Sequence, residues 1–286
     1  MSLTIHPVDN TFAAEVHGIG PLAAITAGVA YEIEQALATH PVLCFRNANL
    51  DDDGQQAFIE HFGPPVEAKL KELTEGAPKH PHMYDFSTVD EDGNPVKQNS
   101  ARGLYLLANQ LWHTDGTQIQ PPLRISALSA RKLPPVPPPT EYADMRAAWD
   151  ALPPERQRAL EGLMVEHSVF ASRAKVGMTD FSAETRAERP PVMHPLVRTH
   201  SRSGRKSLYL ASHASHVEGM PLEQGEALLR ELTEFATCPQ FLYSHRWSEG
   251  DLLMWDDSCT MHRATPYSGT HPRIMRWCGV REPAPV

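Results

Sequence analysis

The sequence predicts an α+β fold. Short apolar, strand-like runs stand near both ends of the chain, amphipathic helical segments lie between them, and no repeat or low-complexity stretch interrupts the pattern. The bulk properties fit a soluble globular protein: 286 residues, 41% hydrophobic and 21% charged, enough for one large domain or two small ones. A formal net charge of −9 with no Lys/Arg-dense run argues against a nucleic-acid partner. Cys44, Cys238, Cys259 and Cys278 show no paired spacing and no Cys-x-x-Cys, so a reduced, cytoplasmic setting is expected. The first residues lack a basic-then-apolar leader, and no run approaches the roughly 18 apolar residues of a membrane span, so neither export nor membrane insertion is expected. Association into a homo-oligomer stays open.

Residues 24–39 carry Val29, Ile33, Ala36 and Leu37 at helical spacing, an amphipathic helix that Pro41 ends before a buried strand at 42–45. Asp51, Asp52 and Asp53 offer an N-cap and favourable first-turn charge for a second helix to about residue 62, closed by Gly63-Pro64. That role explains the acidic run better than a metal site does. Residues 66–99 are polar and irregular, which marks a candidate lid loop. His80 and His82 within it read as exposed rather than metal-binding.

The run 109–115 is expected as a strand, as is 125–128. Five prolines between residues 133 and 139 suit a rigid crossing before Thr140. Residues 144–151 and 154–164 read as two helices separated by Pro153-Pro154, and 167–193 lacks periodicity. Strands follow at 194–198 and 207–210 around the turn 201–205. A third helix covers 223–236, with Ala227, Leu228, Leu232 and Phe235 as its inner stripe. The apolar run 251–255 and the run 271–277 complete the strands.

The chemistry concentrates in two of these segments. In Trp112-His113-Thr114-Asp115 the imidazole and carboxylate are two apart, so on a strand they leave the same face and reach one ion. His262, far along the chain, supplies a second imidazole. Two histidines and a carboxylate with open positions are the ligand set of non-heme Fe(II) oxygenases. With fifteen histidines in the chain, a His-x-Asp/Glu tripeptide is weak by itself, and His216-Val217-Glu218 has the same form. The company of Arg273, eleven residues after His262, strengthens the first: its guanidinium offers a bidentate fork for the far carboxylate of an oxoacid co-substrate. Ligands on separate strands point to a double-stranded β-helix, a jelly roll of the cupin kind, as a single domain over residues 1–286 with helical insertions.

The chain resembles the taurine dioxygenase family of Fe(II)/2-oxoglutarate enzymes, and within it the phenoxyacetate-cleaving branch. The resemblance rests on the run 108–113, the run 140–148, the run 213–219 and the block from His262 to Arg273. It implies the same jelly roll, with His113, Asp115 and His262 as metal ligands and Thr140, Arg273 and Trp255 on the 2-oxoglutarate side. Packing around a dry site is the simplest role for Trp255, and Asp256 reads as an outer carboxylate or turn residue.

The resemblance also implies decarboxylation of 2-oxoglutarate with O2 to succinate and CO2, coupled to oxidation of a small acidic substrate. Asn109 matches a pocket position, and His216 lies in a shared run. Taurine-acting members grip the substrate anion with a second arginine four residues after the first, where this chain has Trp277. Either a bulge re-aims Arg276, or Lys97 or Arg102 takes the anion, or the substrate differs in kind. Trp277 offers a stacking face to a flat acid. A phenoxyacetate-type aryl-ether acid is therefore the leading substrate; stable hydroxylation of another small carboxylate and a non-catalytic binding relative are the alternatives.

Overall fold

The computed structural model of the chain describes residues 3–67, 80–90, 92–267, 269 and 271–283. A hairpin of β1 (Thr4–Pro7) and β2 (Ala13–His17) leads to α1 (Ala27–Thr39), which Thr26 caps by accepting the Val29 amide at 3.3 Å. The helix buries Ala30, Ile33 and Leu37; the predicted Val29 and Ala36 flank this stripe, half-buried. β3 (Val42–Phe45) is wholly buried, as its apolar run implies. Asp51 caps α2 (Asp52–Glu60) through the Gly54 amide at 2.8 Å, so the acidic run is a helix start.

Part of the predicted lid, residues 68–79, lies outside the described residues. Beyond it come β4 (Tyr84–Asp85) and α3 (Ala101–Ala108), a helix the sequence reading missed. Ser100 caps α3 through the Gly103 amide at 3.1 Å, and a Cβ on Gly103 would collide with the Lys97 and Gln98 carbonyls. β5 (Leu123–Lys132) is longer than predicted, and β6 (Thr140–Asp144) runs into α4 (Met145–Asp150), whose first amides Asp144 caps.

α5 (Pro154–Leu160) stops short of the predicted residue 164, because Gly162 takes a left-handed φ of +82° and the chain turns into β7 (Met164–His167). The stretch without periodicity holds α6 (Val169–Ala174) and α7 (Ala183–Glu188), each too short to show a period. β8 (Val192–Pro195), β9 (Val197–Thr199), β10 (Lys206–Leu208) and β11 (Ala214–Val217) follow. α8 (Leu222–Ala236) buries Gly225, Leu229, Leu232 and Ala236, about one position away from the predicted stripe. Gly225 packs against the Val217 backbone, where a Cβ would meet the amide nitrogen at 2.9 Å. β12 (Leu242–His245), β13 (Leu252–Asp256), β14 (Thr260–Ala264) and β15 (Ile274–Arg281) complete the chain.

The large sheet has the order β1-β2-β3-β13-β5-β15-β4, with β2–β3 its parallel pair; a smaller sheet has the order β12-β6-β14. β13 explains how the layers meet. Leu252 and Met254 pack with Ile33, Leu37, Phe58 and Ile59 of α1 and α2, while Leu253 and Trp255 pack with Tyr142 and Tyr243 of the smaller sheet. Both faces are covered, so the strand reads as a continuous apolar run although its side chains alternate. A separate core joins α4, α8, β7, β10 and β11 behind the smaller sheet. Among the described residues, no helix is long and apolar enough to cross a membrane.

Candidate metal centre and active site

A single backbone bridge brings the two predicted metal segments together. The His113 amide donates to the His262 carbonyl at 3.0 Å, and the His262 amide returns a bond to His113 at 2.7 Å. The predicted strand at 109–115 reduces to this one bridging residue. Asp115 instead begins a turn, and Gly116 follows with φ +68°, at a point where a Cβ would collide with Leu123.

The turn still places the carboxylate between the two rings. Asp115 Oδ1 lies 3.6 Å from His113 Nε2, and Oδ2 lies 3.7 Å from His262 Nε2. These gaps are too long for hydrogen bonds and are the spacing of donors that share one ion at bond lengths of ~2.1 Å. All three donor atoms fall within 4.8 Å of one another.

The surroundings set the protonation states. His113 Nδ1 lies 2.7 Å from the Leu111 carbonyl, which holds that proton there and leaves the Nε2 lone pair facing Asp115. Burial pulls His113 below the usual histidine range, against the opposing charge of Asp115; burial and the neighbouring His113 pull His262 well below it. Both rings are therefore neutral, the form that binds a metal. Burial raises the Asp115 carboxyl, opposed by His113 and by the indole N–H of Trp277, which donates to Oδ2 at 3.0 Å. Trp277 thus orients the carboxylate as well as presenting its ring.

On the far side of His262, Tyr142 stacks at 5.7 Å between centroids and Trp255 packs at 4.8 Å. Trp255 is wholly buried and donates to Asp257 Oδ1 at 2.9 Å, while Ser126 donates to Oδ2 at 2.6 Å. Thr140 pairs with Ala264 on the face shared by Tyr142 and His262. Its Oγ1 accepts the Trp247 indole N–H at 2.9 Å, which leaves its own proton to donate.

Arg273 is 8% exposed, and among the described residues its Nε has no partner, nor do the buried Tyr142 hydroxyl and His262 Nδ1. Burial pulls the Arg273 guanidinium down to about 10 against the opposing influence of Tyr142. A buried guanidinium without a carboxylate is costly, and an anionic co-substrate would remove that cost. The backbone of Arg273 is pinned by Thr88, whose hydroxyl accepts its amide at 3.0 Å.

The predicted substrate residues fare differently. Trp277 lines a cavity of about 790 Å3 together with Asp115, Tyr84, Phe86, Tyr105 and Val169. The two register shifts on β15 lie before Met275 and after Val280, and neither re-aims Arg276. Arg276 points away from Trp277, to Asp85 at 2.8 Å and Asp52 at 3.7 Å, which corrects its assignment to the substrate anion. Arg102 is engaged with the Ser87 carbonyl and Asp85, and Lys97 is exposed just before the α3 cap.

Asn109 ends α3, its carbonyl accepting the Ala264 amide at 2.8 Å. His216 turns to Glu166 at 3.7 Å and does not line the cavity. In the same run, His213 packs edge-on to His113 at 6.5 Å and was not picked out; a bulge between Ala214 and His216, invisible in the sequence, decides which ring faces inward. Tyr142 and Trp247 were also missed, since an aromatic residue in a strand carries no signal of what it touches. His80 faces Asp53 at 3.4 Å and His82 Nδ1 the Val66 carbonyl at 3.2 Å, so they do not share a site.

A model of the taurine catabolism dioxygenase TauD, TfdA family matches residues 4–278. The chain belongs to this family. It is 43% identical over 277 residues to the alpha-ketoglutarate-dependent 2,4-dichlorophenoxyacetate dioxygenase of Cupriavidus pinatubonensis, covering 96% of each chain. The (S)-phenoxypropionate/alpha-ketoglutarate-dioxygenase of Sphingobium herbicidovorans is 32% identical, over 95% of this chain and 92% of that one. The crystal structure of AAD-2 in complex with Mn(II) and N-oxalylglycine matches with a TM-score of 0.91 at 38% identity, covering 100% of this chain and 98% of that chain. The protein is accordingly a metal- and 2-oxoglutarate-dependent dioxygenase.

Proposed function

We propose that the chain forms one dioxygenase domain, a double-stranded β-helix whose walls are the seven-stranded sheet and the β12-β6-β14 sheet, and that it cleaves aryl-ether acids of the phenoxyacetate type. The observation that carries the 2-oxoglutarate side is Arg273, a buried guanidinium whose Nε has no partner among the described residues, like the buried Tyr142 hydroxyl. Arg273 would hold the distal carboxylate of 2-oxoglutarate, and Thr140 would donate to it.

His113, Asp115 and His262 would hold the iron, which with 2-oxoglutarate and O2 supplies the oxidising power while succinate and CO2 are released. The protein's own work is positional. The Leu111 carbonyl fixes the His113 tautomer, Trp277 fixes the Asp115 carboxylate, and Trp255 and Tyr142 keep water from His262. The substrate would lie in the cavity beside Asp115, its ring against Tyr84, Phe86 and Trp277, as the names of the aryl-ether-acid relatives support. Hydroxylation of the carbon that bears the ether oxygen gives a hemiacetal, which collapses to a phenol and an oxoacid without a protein base.

The test is to supply Fe(II), ascorbate, 2-oxoglutarate and phenoxyacetate and to measure phenol and succinate together. Equal amounts of the two are expected. Substrate-dependent succinate without phenol would replace this reading with stable hydroxylation of another carboxylate.

A further inference from the structure

We infer that Arg173 is the cation that receives the carboxylate of the substrate, in the place of the arginine that Trp277 displaces; this rests on the acidic-substrate reading above. Arg173 is 7% exposed, and its guanidinium lies 4.2 Å above the centroid of the Tyr105 ring. Tyr105 lines the cavity, and its ring stacks with Phe86 at 6.0 Å. Val169, four residues earlier and on the same face of α6, also lines the cavity. Arg173 is not itself a lining residue; its guanidinium stands against the Tyr105 part of the cavity wall, directly behind the ring.

Its hydrogen bonding is incomplete. Nη1 donates to Ser172 Oγ at 3.2 Å, and no carboxylate among the described residues pairs with the guanidinium. The other arginines differ: Arg276 and Arg102 are held by Asp85 and the buried Arg146 by Asp144, while Arg189 and Arg281, which line the cavity, are not buried. Arg273 shares the condition of Arg173, and Arg273 is accounted for by 2-oxoglutarate. Two buried guanidinium groups without a carboxylate among the described residues match the two carboxylic acids that the reaction brings together.

The position relative to the metal ligands also fits. The start of α6 is tied to the His213 segment, where the Ser168 amide donates to the His213 carbonyl at 2.8 Å and Ser212 Oγ donates to Ser172 Oγ at 3.2 Å. The His213 ring in turn packs edge-on to His113. A carboxylate gripped by Arg173 thus lies on the His113 side of the cavity. In a phenoxyacetate the carbon to be oxidised is bonded directly to that carboxylate, so fixing the anion fixes the reacting carbon.

The test compares phenoxyacetate with its neutral isostere phenoxyacetamide on the Fe(II)- and 2-oxoglutarate-loaded enzyme. Substrate-triggered succinate formation and anaerobic binding, read from the visible absorption of the loaded site, are measured for the wild type, Arg173→Gln and Arg173→Lys. Wild type should favour the acid. Arg173→Gln should raise the KM and Kd for the acid about tenfold to a hundredfold, remove the preference over the amide, and leave the KM for 2-oxoglutarate within about twofold. Arg173→Lys, which keeps the charge without the fork, should fall between them and serves as the deciding variant if the glutamine form does not fold.

An unchanged acid-to-amide ratio in the folded variants overturns the inference, as does a rise in the 2-oxoglutarate KM alone or a wild type with no preference for the acid. If small acids trigger succinate without phenol release, the aryl-ether reading fails. A loss of acid preference confined to the Arg173 variants would then still uphold Arg173.

Discussion

Among the described residues three clusters of His, Asp and Cys side chains bring their donor atoms together, and two of them, each pairing an aspartate with histidine, differ in how their carboxylate is held. His200, Asp256 and Cys259 are buried, as are His113 and His262 around the half-buried Asp115, and in each cluster the donor atoms lie within 4.8 Å. In the first, His200 Nε2 lies 2.9 Å from Asp256 Oδ2 and Nδ1 lies 2.7 Å from Ser203 Oγ, while the Ser258 amide donates to Asp256 Oδ1 at 2.9 Å. Every polar atom of the pair is satisfied. In the second, the carboxylate stands 3.6 and 3.7 Å from its two imidazoles, and among the described residues Trp277 is its one hydrogen-bond donor.

The carboxyl groups respond in opposite ways. Burial would raise Asp256, but the bond and charge of His200 with the Ser258 bonds outweigh it and hold the group below the usual range, whereas Asp115 is pushed above it. Residue type does not distinguish the clusters; hydrogen-bond satisfaction does.

The largest effect that would sharpen this contrast is loss of the metal. His262→Ala or His113→Ala should abolish iron binding and lower succinate formation by about a thousandfold or more, while His200→Ala keeps its iron. Iron content of the purified variants decides, and a folded His200→Ala that is iron-free would erase the distinction. Next comes Arg273→Ala, expected to raise the KM for 2-oxoglutarate about a hundredfold with less change in the KM for the acid substrate; equal 2-oxoglutarate affinity in variant and wild type would remove Arg273 from the site.

Smaller still is Trp277→Phe, which keeps a ring and deletes the N–H to Asp115. Iron affinity should fall about tenfold, as for other partners that orient a metal ligand, and titration with Fe(II) under argon reads it directly. The smallest effect is on stability. Because the folded pKa of Asp256 is depressed, its contribution is present above the unfolded value of about 3.9 and is lost as pH falls through the folded value. Asp256→Asn should therefore lower the melting temperature by several degrees near neutral pH, with the difference shrinking at acid pH. In metal-free protein, Asp115→Asn should shift it upward at neutral pH, because a carboxyl whose folded pKa is raised destabilises the fold once it must ionise. Melts in chelator that move both variants in the same direction would contradict the comparison.

Much of this was legible in the chain. Capping residues and apolar periodicity gave α1, β3 and α2, because these signals act within one turn or one strand. The alternation rule already turned Arg276 away from Trp277, and the ion pair with Asp85 is the result. α3 was missed because its Ser100 cap sits in a stretch rich in glycine and polar residues, with Gly103 in its first turn, and α5 was overextended because Gly162 looked no different from other glycines. The stripe of α8 moved because a backbone approach at Gly225, not side-chain hydrophobicity, sets the helix rotation.

What the sequence determined by itself was the inventory: two histidines and an aspartate of oxygenase type, an arginine eleven residues beyond the second histidine, and a tryptophan where a second arginine would stand. These are facts of residue identity and short spacing, which no fold can alter. The tertiary structure alone decided that a turn rather than a strand aims Asp115, that His213 rather than His216 adjoins His113, and that Arg173 has no carboxylate partner among the described residues. Each of those depends on which distant groups come close enough to compete for a hydrogen bond, and that competition exists only once the sheets and helices have packed.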